Sequence, residues 1–271
     1  MQLTENVYVE TGYQGANVGY VITNSGIVMI ESPQRPTDAV AWRKQIKEKG
    51  QIKYLINTEG HGDHITGDFF FEVPVICHEK ARESIMATDT ERLKEMIANM
   101  DPEGVPLVSE YRVNAPAITY SERLTLYLGN HTFHLINTPG HTAGQTAVFI
   151  PEEKVVFTGD NVNYKSPAFF QEAVPYEWLK SLQRIKEMDV DHIVPGHGEV
   201  CDKSYLDEWA GFIQEWIDVV RQAINQGWSK EETVEKIIPP SRYSAGPGGD
   251  ELEKMLVRMS VPHLYKVLSE E

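Results

Sequence analysis

Residues 52–64 read IKYLINTEGHGDH, and this is the most informative stretch of the chain. Residues 52–58 form a largely apolar run that predicts a buried strand. The residues from Glu59 to His64 then hold two imidazoles and two carboxylates, with glycines between them that allow a tight turn. Side chains of these types at a strand end are those that bind zinc, iron or manganese. The alternative is a polar turn with a capping Asp and incidental histidines.

Three later segments repeat this arrangement of one potential ligand beside a glycine. Each segment follows an apolar run that predicts a strand, and the potential ligands are His141, Asp160 and His197. One histidine at a strand end has no special meaning, but packing does not explain four such strand ends in one chain. We therefore predict that these side chains meet in one metal site.

The combined pattern resembles the metallo-β-lactamase superfamily of metallohydrolases, whose signature is H-x-H-x-D-H, then a lone His, a lone Asp and a final His. The resemblance covers about residues 1–200, and six positions match in order and spacing: His61, Asp63, His64, His141, Asp160 and His197. It implies an αβ/βα four-layer sandwich with the metals at one edge of two packed sheets. The alternation of strands and helices along the chain also predicts an α/β layered fold.

The chain departs from the signature at one position, where Glu59 replaces the first His. The resemblance implies a first metal site of Glu59, His61 and His141, a second of Asp63, His64 and His197, and Asp160 as the bridge. With three anionic ligands for two divalent ions, iron or manganese becomes a rival to zinc. The alternative is that Glu59 does not ligate and that one site is loose.

The resemblance implies hydrolysis by a metal-bound hydroxide, because metal coordination lowers the pKa of water from 15.7 to about 7 in favourable cases. Asp63 is predicted to orient the water or to carry a proton to the leaving group. We expect the substrate to be a small ester, lactone or thioester. Tyr164 would donate a hydrogen bond to it, and Phe169 and Phe170 would line an apolar pocket. Alternatively, these three residues are ordinary loop anchors.

Two other functions stay open at this point. The superfamily includes iron redox enzymes, namely persulfide dioxygenases and flavodiiron reductases. The flavodiiron group has its Glu at the position of His61 rather than Glu59, and this sequence has no flavodoxin-like domain. The third possibility is a non-catalytic ligand sensor.

Composition narrows the class of protein. The chain has 271 residues, 41% hydrophobic and 24% charged, with a formal net charge of −15, which predicts a soluble globular protein that does not bind nucleic acid. No apolar run reaches the length of a membrane span, and residues 1–6 lack the features of a signal peptide, so we expect a cytoplasmic location. Cys77 and Cys201 predict no disulfide framework.

The predicted organisation is a catalytic domain at residues 1–201, with a helical insertion at about 79–115, and a helical C-terminal extension at 202–271. The insertion either only packs or forms a wall over the cleft. The extension carries apolar and aromatic residues at helical spacing. We expect it to cover the active-site mouth or to mediate homodimerisation.

Overall fold

The computed structural model describes residues 1–240 and 249–270, and within them two mixed β-sheets pack face to face. The strands of the first sheet are β1 (Val7–Glu10), β2 (Val18–Thr23), β3 (Gly26–Ile30), β4 (Ile52–Ile56), β5 (Val75–His78) and β6 (Ile118–Tyr120). Those of the second sheet are β7 (Arg123–Leu128), β8 (His131–Asn137), β9 (Thr146–Ile150), β10 (Val155–Phe157) and β11 (His192–Val194).

Strand direction brings the ligand-bearing segments to one edge. In the first sheet, β3, β4, β5 and β6 are parallel to one another, while β1 and β2 pair antiparallel. In the second sheet, β10 and β11 are parallel, and β9, β8 and β7 continue antiparallel. Residues that follow parallel strands lie at the same edge of a sheet, so the ends of β4, β10 and β11 can contribute to one site.

The described helices are α1 (Pro36–Lys47), α2 (Gly62–Ile65), α3 (Glu79–Ala87), α4 (Thr90–Met100), α5 (Pro175–Glu187), α6 (Tyr205–Asn225), α7 (Lys230–Lys236) and α8 (Gly249–Ser269). Their starts follow from local sequence. Proline occupies the first turn of α1 and α5, where its missing N–H costs nothing. Asp89 accepts hydrogen bonds from two backbone N–H groups of the first turn of α4.

The alternation of side chains along β3 explains the layers. Val28 and Ile30 point into the core between the sheets, whereas Ile27 and Met29 point outward to the cluster that contains Trp42 of α1. A strand with both faces buried must have helices on its outer side. A third core lies between the second sheet and helices α5, α6 and α8. The predicted αβ/βα sandwich is therefore confirmed.

The predicted helical C-terminal extension is also confirmed for the residues that are described; residues 241–248 and 271 lie outside them. Trp209 and Trp216 of α6 and Val261 of α8 are buried in the same cluster as Val156 of β10. The extension thus covers the outer face of the second sheet. None of the described helices is long and apolar enough to cross a membrane. Homodimerisation through this region stays a prediction.

The predicted insertion consists of α3, α4 and a 3₁₀ segment at Pro102–Val108. Leu93 and Ile97 of α4 are buried in the outer core of the first sheet. The insertion also touches the metal-binding motif, because a Cβ at Gly60 would lie 2.9 Å from the Ala81 carbonyl oxygen and one at Gly62 would lie 3.3 Å from Leu93. The insertion therefore packs on the first sheet and contacts the backbone of the motif, while its role as a wall over the cleft stays a prediction.

Candidate metal centre

The predicted ligands converge at the edge where the strands end. Glu59 follows β4, Asp160 follows β10 and His197 follows β11, each three residues beyond the last strand position. Asp63 and His64 lie on α2, which starts immediately after the turn. The remaining ligands are His61, which precedes α2, and His141, in the connection from β8 to β9.

The first cluster consists of Glu59, His61 and His141. Nδ1 of His61 contacts Oε2 of Glu59. Nε2 of His141 lies 3.2 Å from Nδ1 of His61 and 3.6 Å from Oε2 of Glu59. Three donor atoms thus face one point, and Glu59 lies within the set rather than outside it.

The second cluster consists of Asp63, His64 and His197. Oδ2 of Asp63 lies 3.2 Å from Nε2 of His197 and 3.9 Å from Nε2 of His64. The Asp63 side chain is 30% exposed, whereas that of Glu59 is fully buried. Asp63 is therefore the most exposed of the three carboxylates predicted as ligands.

Asp160 lies between the two clusters. Its Oδ1 is 3.3 Å from Nε2 of both His64 and His197, and its Oδ2 is 3.8 Å from Nε2 of His141. Glu59 also spans the clusters, since its Oε1 lies 3.6 Å from Nε2 of His64. The geometry is that of two adjacent three-residue clusters connected by two carboxylates.

The donor set fits divalent ions better than it fits hydrogen bonds within itself. Nε2 of His64 has three carboxylates within 3.9 Å, which is more than one N–H can serve. Both this nitrogen and Oδ1 of Asp160 are buried without a hydrogen-bond partner among the described residues. An unsatisfied buried polar group costs about 1–3 kcal/mol. Imidazole and carboxylate ligands suit zinc, iron and manganese, which would satisfy these atoms.

The protein groups alone strongly perturb one another. Burial raises the pKa of Glu59, but the His64 and His141 rings lower it by more, to about 2. Burial lowers the pKa of His61 and of His197, but the Glu59 carboxylate raises the first to about 11 and Asp160 raises the second to about 10. At neutral pH these imidazoles therefore hold protons that a metal ion must displace.

Sequence reasoning missed Glu31, which directly follows β3. Glu31 is buried, has a φ of 60°, and accepts hydrogen bonds from the backbone N (2.8 Å) and the hydroxyl of Thr58. Its Oε1 lies 3.3 Å from Nδ1 of His64. A carboxylate behind a ligating imidazole fixes the orientation and tautomer of the ring. The sequence did hold one indication of this role, because Glu31 is an acidic residue at the end of β3, the strand adjacent to β4.

Sequence reasoning also missed the contacts that hold the first cluster. The backbone N of His141 donates to Oδ1 of Asn161 at 2.9 Å, and Nδ1 of His141 lies 2.9 Å from the Phe169 carbonyl oxygen. Oε1 of Glu172 lies 3.8 Å from Nε2 of His61. Asn161 adjoins Asp160 in sequence, which was a usable signal, whereas nothing in the sequence marked Glu172.

The three aromatic residues predicted to bind substrate have different positions. Phe170 is fully buried, with its ring 5.2 Å from Trp178 and 5.5 Å from Trp216, so it anchors the loop rather than lining a pocket. Tyr164 is partly buried and its ring packs on Tyr205 at 4.8 Å. Substrate binding by Tyr164 and Phe169 stays a prediction.

A small cavity of about 80 Å³ adjoins His61. It is lined by side chains of Lys80, Ser84, Thr142 and Glu172, together with Gly60 and other small residues. The surroundings of the first cluster are therefore polar on the side of His61.

Sequence comparison agrees with this geometry. Residues 12–197, more than half of the chain, match the family model of the metallo-β-lactamase superfamily. The chain belongs to this superfamily. It is a metallohydrolase of that superfamily, as the sequence predicted.

Three relatives share about a quarter of their aligned residues with this chain. It is 24% identical over 237 residues to the beta-lactamase-like protein 2 homolog of Caenorhabditis elegans, covering 86% of this chain and 72% of the relative. It is 23% identical over 232 residues to the metallo-beta-lactamase type 2 of Elizabethkingia meningoseptica, covering 79% and 84%. It is 25% identical over 197 residues to the hydroxyacylglutathione hydrolase of Brucella anthropi, covering 72% and 64%.

Solved structures agree on the fold. A metallo-beta-lactamase from Pontibacter korlensis superposes with a TM-score of 0.64 at 21% identity, covering 79% of this chain and 97% of that one. At this sequence identity the structural similarity establishes the fold and does not identify the substrate.

Proposed function

We propose that this metallohydrolase binds two divalent ions and hydrolyses a small ester, lactone or thioester. The observation that carries the proposal is the pair of adjacent clusters connected by Glu59 and Asp160, with buried donor atoms that lack other partners among the described residues. When bound, the ions would polarise the scissile carbonyl and lower the pKa of a water molecule.

The carboxylates of the site have different tasks in this proposal. Glu59 and Asp160 are almost fully buried, so they hold the cations and balance their charge. Asp63 is partly exposed, and its Oδ2 lies 3.2 Å from His197. Because its carboxylate can be reached from the cleft, we assign to Asp63 the transfer of a proton between water and leaving group.

Two observations and one chemical argument support an acyl substrate. One relative is named for hydrolysis of a hydroxyacylglutathione, and another is named a metallo-beta-lactamase. The net charge of −15 disfavours polyanionic substrates such as nucleic acids. Esters, lactones and thioesters share an electrophilic carbonyl that needs no nucleophilic Ser or Cys when a metal centre is available.

Glu59 also supports a second candidate, an iron-dependent redox enzyme built on the same site. Three carboxylates, Glu59, Asp63 and Asp160, give a harder donor set than one in which a fifth imidazole replaces Glu59. Iron or manganese therefore competes with zinc for these clusters. Metal content of protein purified without oxygen separates the two candidates.

A panel of aryl esters, lactones and thioesters, assayed with Asp63→Asn, tests the hydrolase proposal. Removing the proton-transfer group is expected to lower kcat by about 10²–10⁴-fold. Asp189→Asn is the matched control, since Asp189 is 81% exposed and pairs only with Lys154 among the described residues. Wild-type protein that holds two metals but cleaves none of the panel, or Asp63→Asn with unchanged turnover, overturns the proposal.

A further inference from the structure

The loop at residues 168–173 supports both histidines of the first cluster. Nδ1 of His141 donates to the Phe169 carbonyl oxygen at 2.9 Å, which orients the ring so that Nε2 faces Glu59. Oε1 of Glu172 lies 3.8 Å from Nε2 of His61, within ion-pair range. The same loop thus fixes the ring of one histidine and faces the free nitrogen of the other.

Helix α8, from the C-terminal extension, holds this loop at two points. The backbone N of Phe170 donates to Oγ of Ser260 at 3.1 Å, and Ser260 is fully buried. Nε2 of His263 donates to the Ala173 carbonyl oxygen at 2.9 Å. The residues that α8 holds, Phe170 and Ala173, immediately follow the two that face the cluster, Phe169 and Glu172.

The second cluster has different support. Glu31 lies behind His64, as described above, and the backbone N of Tyr164 donates to the His197 carbonyl oxygen at 2.8 Å. The neighbouring residue, Asn163, accepts a hydrogen bond at 2.9 Å from the hydroxyl of Tyr205, which lies on α6. By contrast, the hydrogen bonds that Ser260 and His263 of α8 make lead to the loop that supports the first cluster.

We propose that Ser260 and His263 of α8 and Glu172 of the loop are positioning residues for the first metal site. The C-terminal extension is then a structural part of the metal centre, and not only a cover for the sheet. This inference rests on the metal-binding part of the proposed function. It predicts that weakening the contact between α8 and the loop lowers metal affinity at the first cluster and leaves the second cluster unchanged.

Metal titration of full-length His263 variants tests this inference. Protein stripped by chelator is titrated with Zn²⁺ in calorimetry and with Co²⁺ in visible spectroscopy. His263→Leu removes the hydrogen bond to Ala173, and one of two binding steps should weaken by about 10–100-fold, the range for partners behind metal ligands. The Co²⁺ bands of that step should shift as well. His263→Gln retains an N–H donor and should restore both affinity and bands.

Tyr265→Phe is the matched control on the same helix. Its hydroxyl donates to the Trp228 carbonyl oxygen at 2.8 Å, so the substitution removes a hydrogen bond of α8 that does not involve the loop. Both binding steps should then remain as in the wild type. If Tyr265→Phe weakens one step as much as His263→Leu does, general loosening of α8 explains the result and the inference is overturned.

Glu172→Ala provides a test without risk to folding, because the side chain is 54% exposed. We expect it to weaken the same binding step as His263→Leu, and Glu172→Gln to weaken it less. If the wild type binds two ions and these variants bind both with wild-type affinity, only this inference is overturned. If the wild type binds no ion, the proposed function fails and this inference fails with it.

Discussion

At the scale of single residues, the replacement of a histidine by Glu59 changes how the two clusters are connected. The two oxygens of a carboxylate are bonded to one carbon, so both can face the same site. The two nitrogens of an imidazole point in different directions, so only one of them can face it. Oε2 of Glu59 faces His61 and His141, and Oε1 lies 3.6 Å from His64 in the other cluster. Glu59 therefore contacts histidines of both clusters, as Asp160 does.

Asp68 is a buried carboxylate outside the two clusters, and its effect on stability depends on pH. Burial raises its pKa to about 8, although the hydroxyl of Ser32 donates to Oδ1 at 2.6 Å. Because the folded protein keeps a proton that the unfolded chain loses near pH 4, stability falls as pH rises between these values. Asp68 changes the free energy of unfolding by at most about 1.4 kcal/mol per pH unit.

We therefore predict that Asp68→Asn flattens the pH dependence of unfolding between about pH 4 and pH 8. Urea unfolding of chelator-treated protein at several pH values measures this slope, with Asp189→Asn as an exposed control. The difference between wild type and variant isolates Asp68 from the other ionisable groups. Equal slopes in the two proteins would contradict the raised pKa.

At the scale of elements, the loops after β4, β10 and β11 depend on close backbone approach. A Cβ at Gly196 would lie 1.9 Å from Oδ1 of Asp160 and 2.7 Å from the carbonyl carbon of Gly159. The backbone atoms cannot move aside easily, since Gly196 N donates to the Gly159 and Val162 carbonyl oxygens at 2.9 Å. The glycine next to His197 thus leaves room for the carboxylate that joins the clusters.

Gly196→Ala is expected to displace Asp160 and to lower metal affinity at both clusters at least tenfold, in line with the cost of disturbed ligand support. Gly50→Ala is the control, because a Cβ there meets Ile27 at an ordinary 3.4 Å. Metal retention after dialysis against a weak chelator measures the effect. Full retention by Gly196→Ala would show that the loop tolerates a side chain and that its close packing is not required.

Sequence alone could predict much of the fold and the ligand set, because both depend on local pattern. Apolar runs mark the strands, and a ligand beside glycine marks the strand ends, so Glu59, Asp160 and His197 could be placed together. The residues behind the ligands could not be predicted. Phe170 and Ser260 are 90 residues apart in sequence, and their contact depends on how α8 packs on the second sheet.

At the scale of the whole molecule, the candidate metal centre brings carboxylates and imidazoles together in a largely buried region. The imidazoles of His61 and His197 have pKa values raised to about 11 and about 10, so both are protonated at pH 7 before a metal binds. Ligation requires the neutral ring, and metal binding must release protons. We therefore expect the metal affinity of the protein to depend on pH.

Apparent metal affinity should accordingly rise with pH through neutrality, by up to about tenfold per pH unit for each proton released. Calorimetric titrations with Zn²⁺ in two buffers of different ionisation enthalpy give the number of protons released at pH 7. We expect at least one proton for each ion. Binding without proton release, or affinity that does not change with pH, would contradict the raised pKa values.

The most direct test of the central claim is the metal content of the wild type and Glu59→Ala, both purified without oxygen, added metal or chelator and measured by elemental analysis. We expect about two equivalents of zinc, iron or manganese in the wild type and about one in Glu59→Ala, because loss of this carboxylate removes a ligand from the first cluster. Two equivalents in both proteins would contradict ligation by Glu59. Wild-type protein without metal would contradict the metal centre itself.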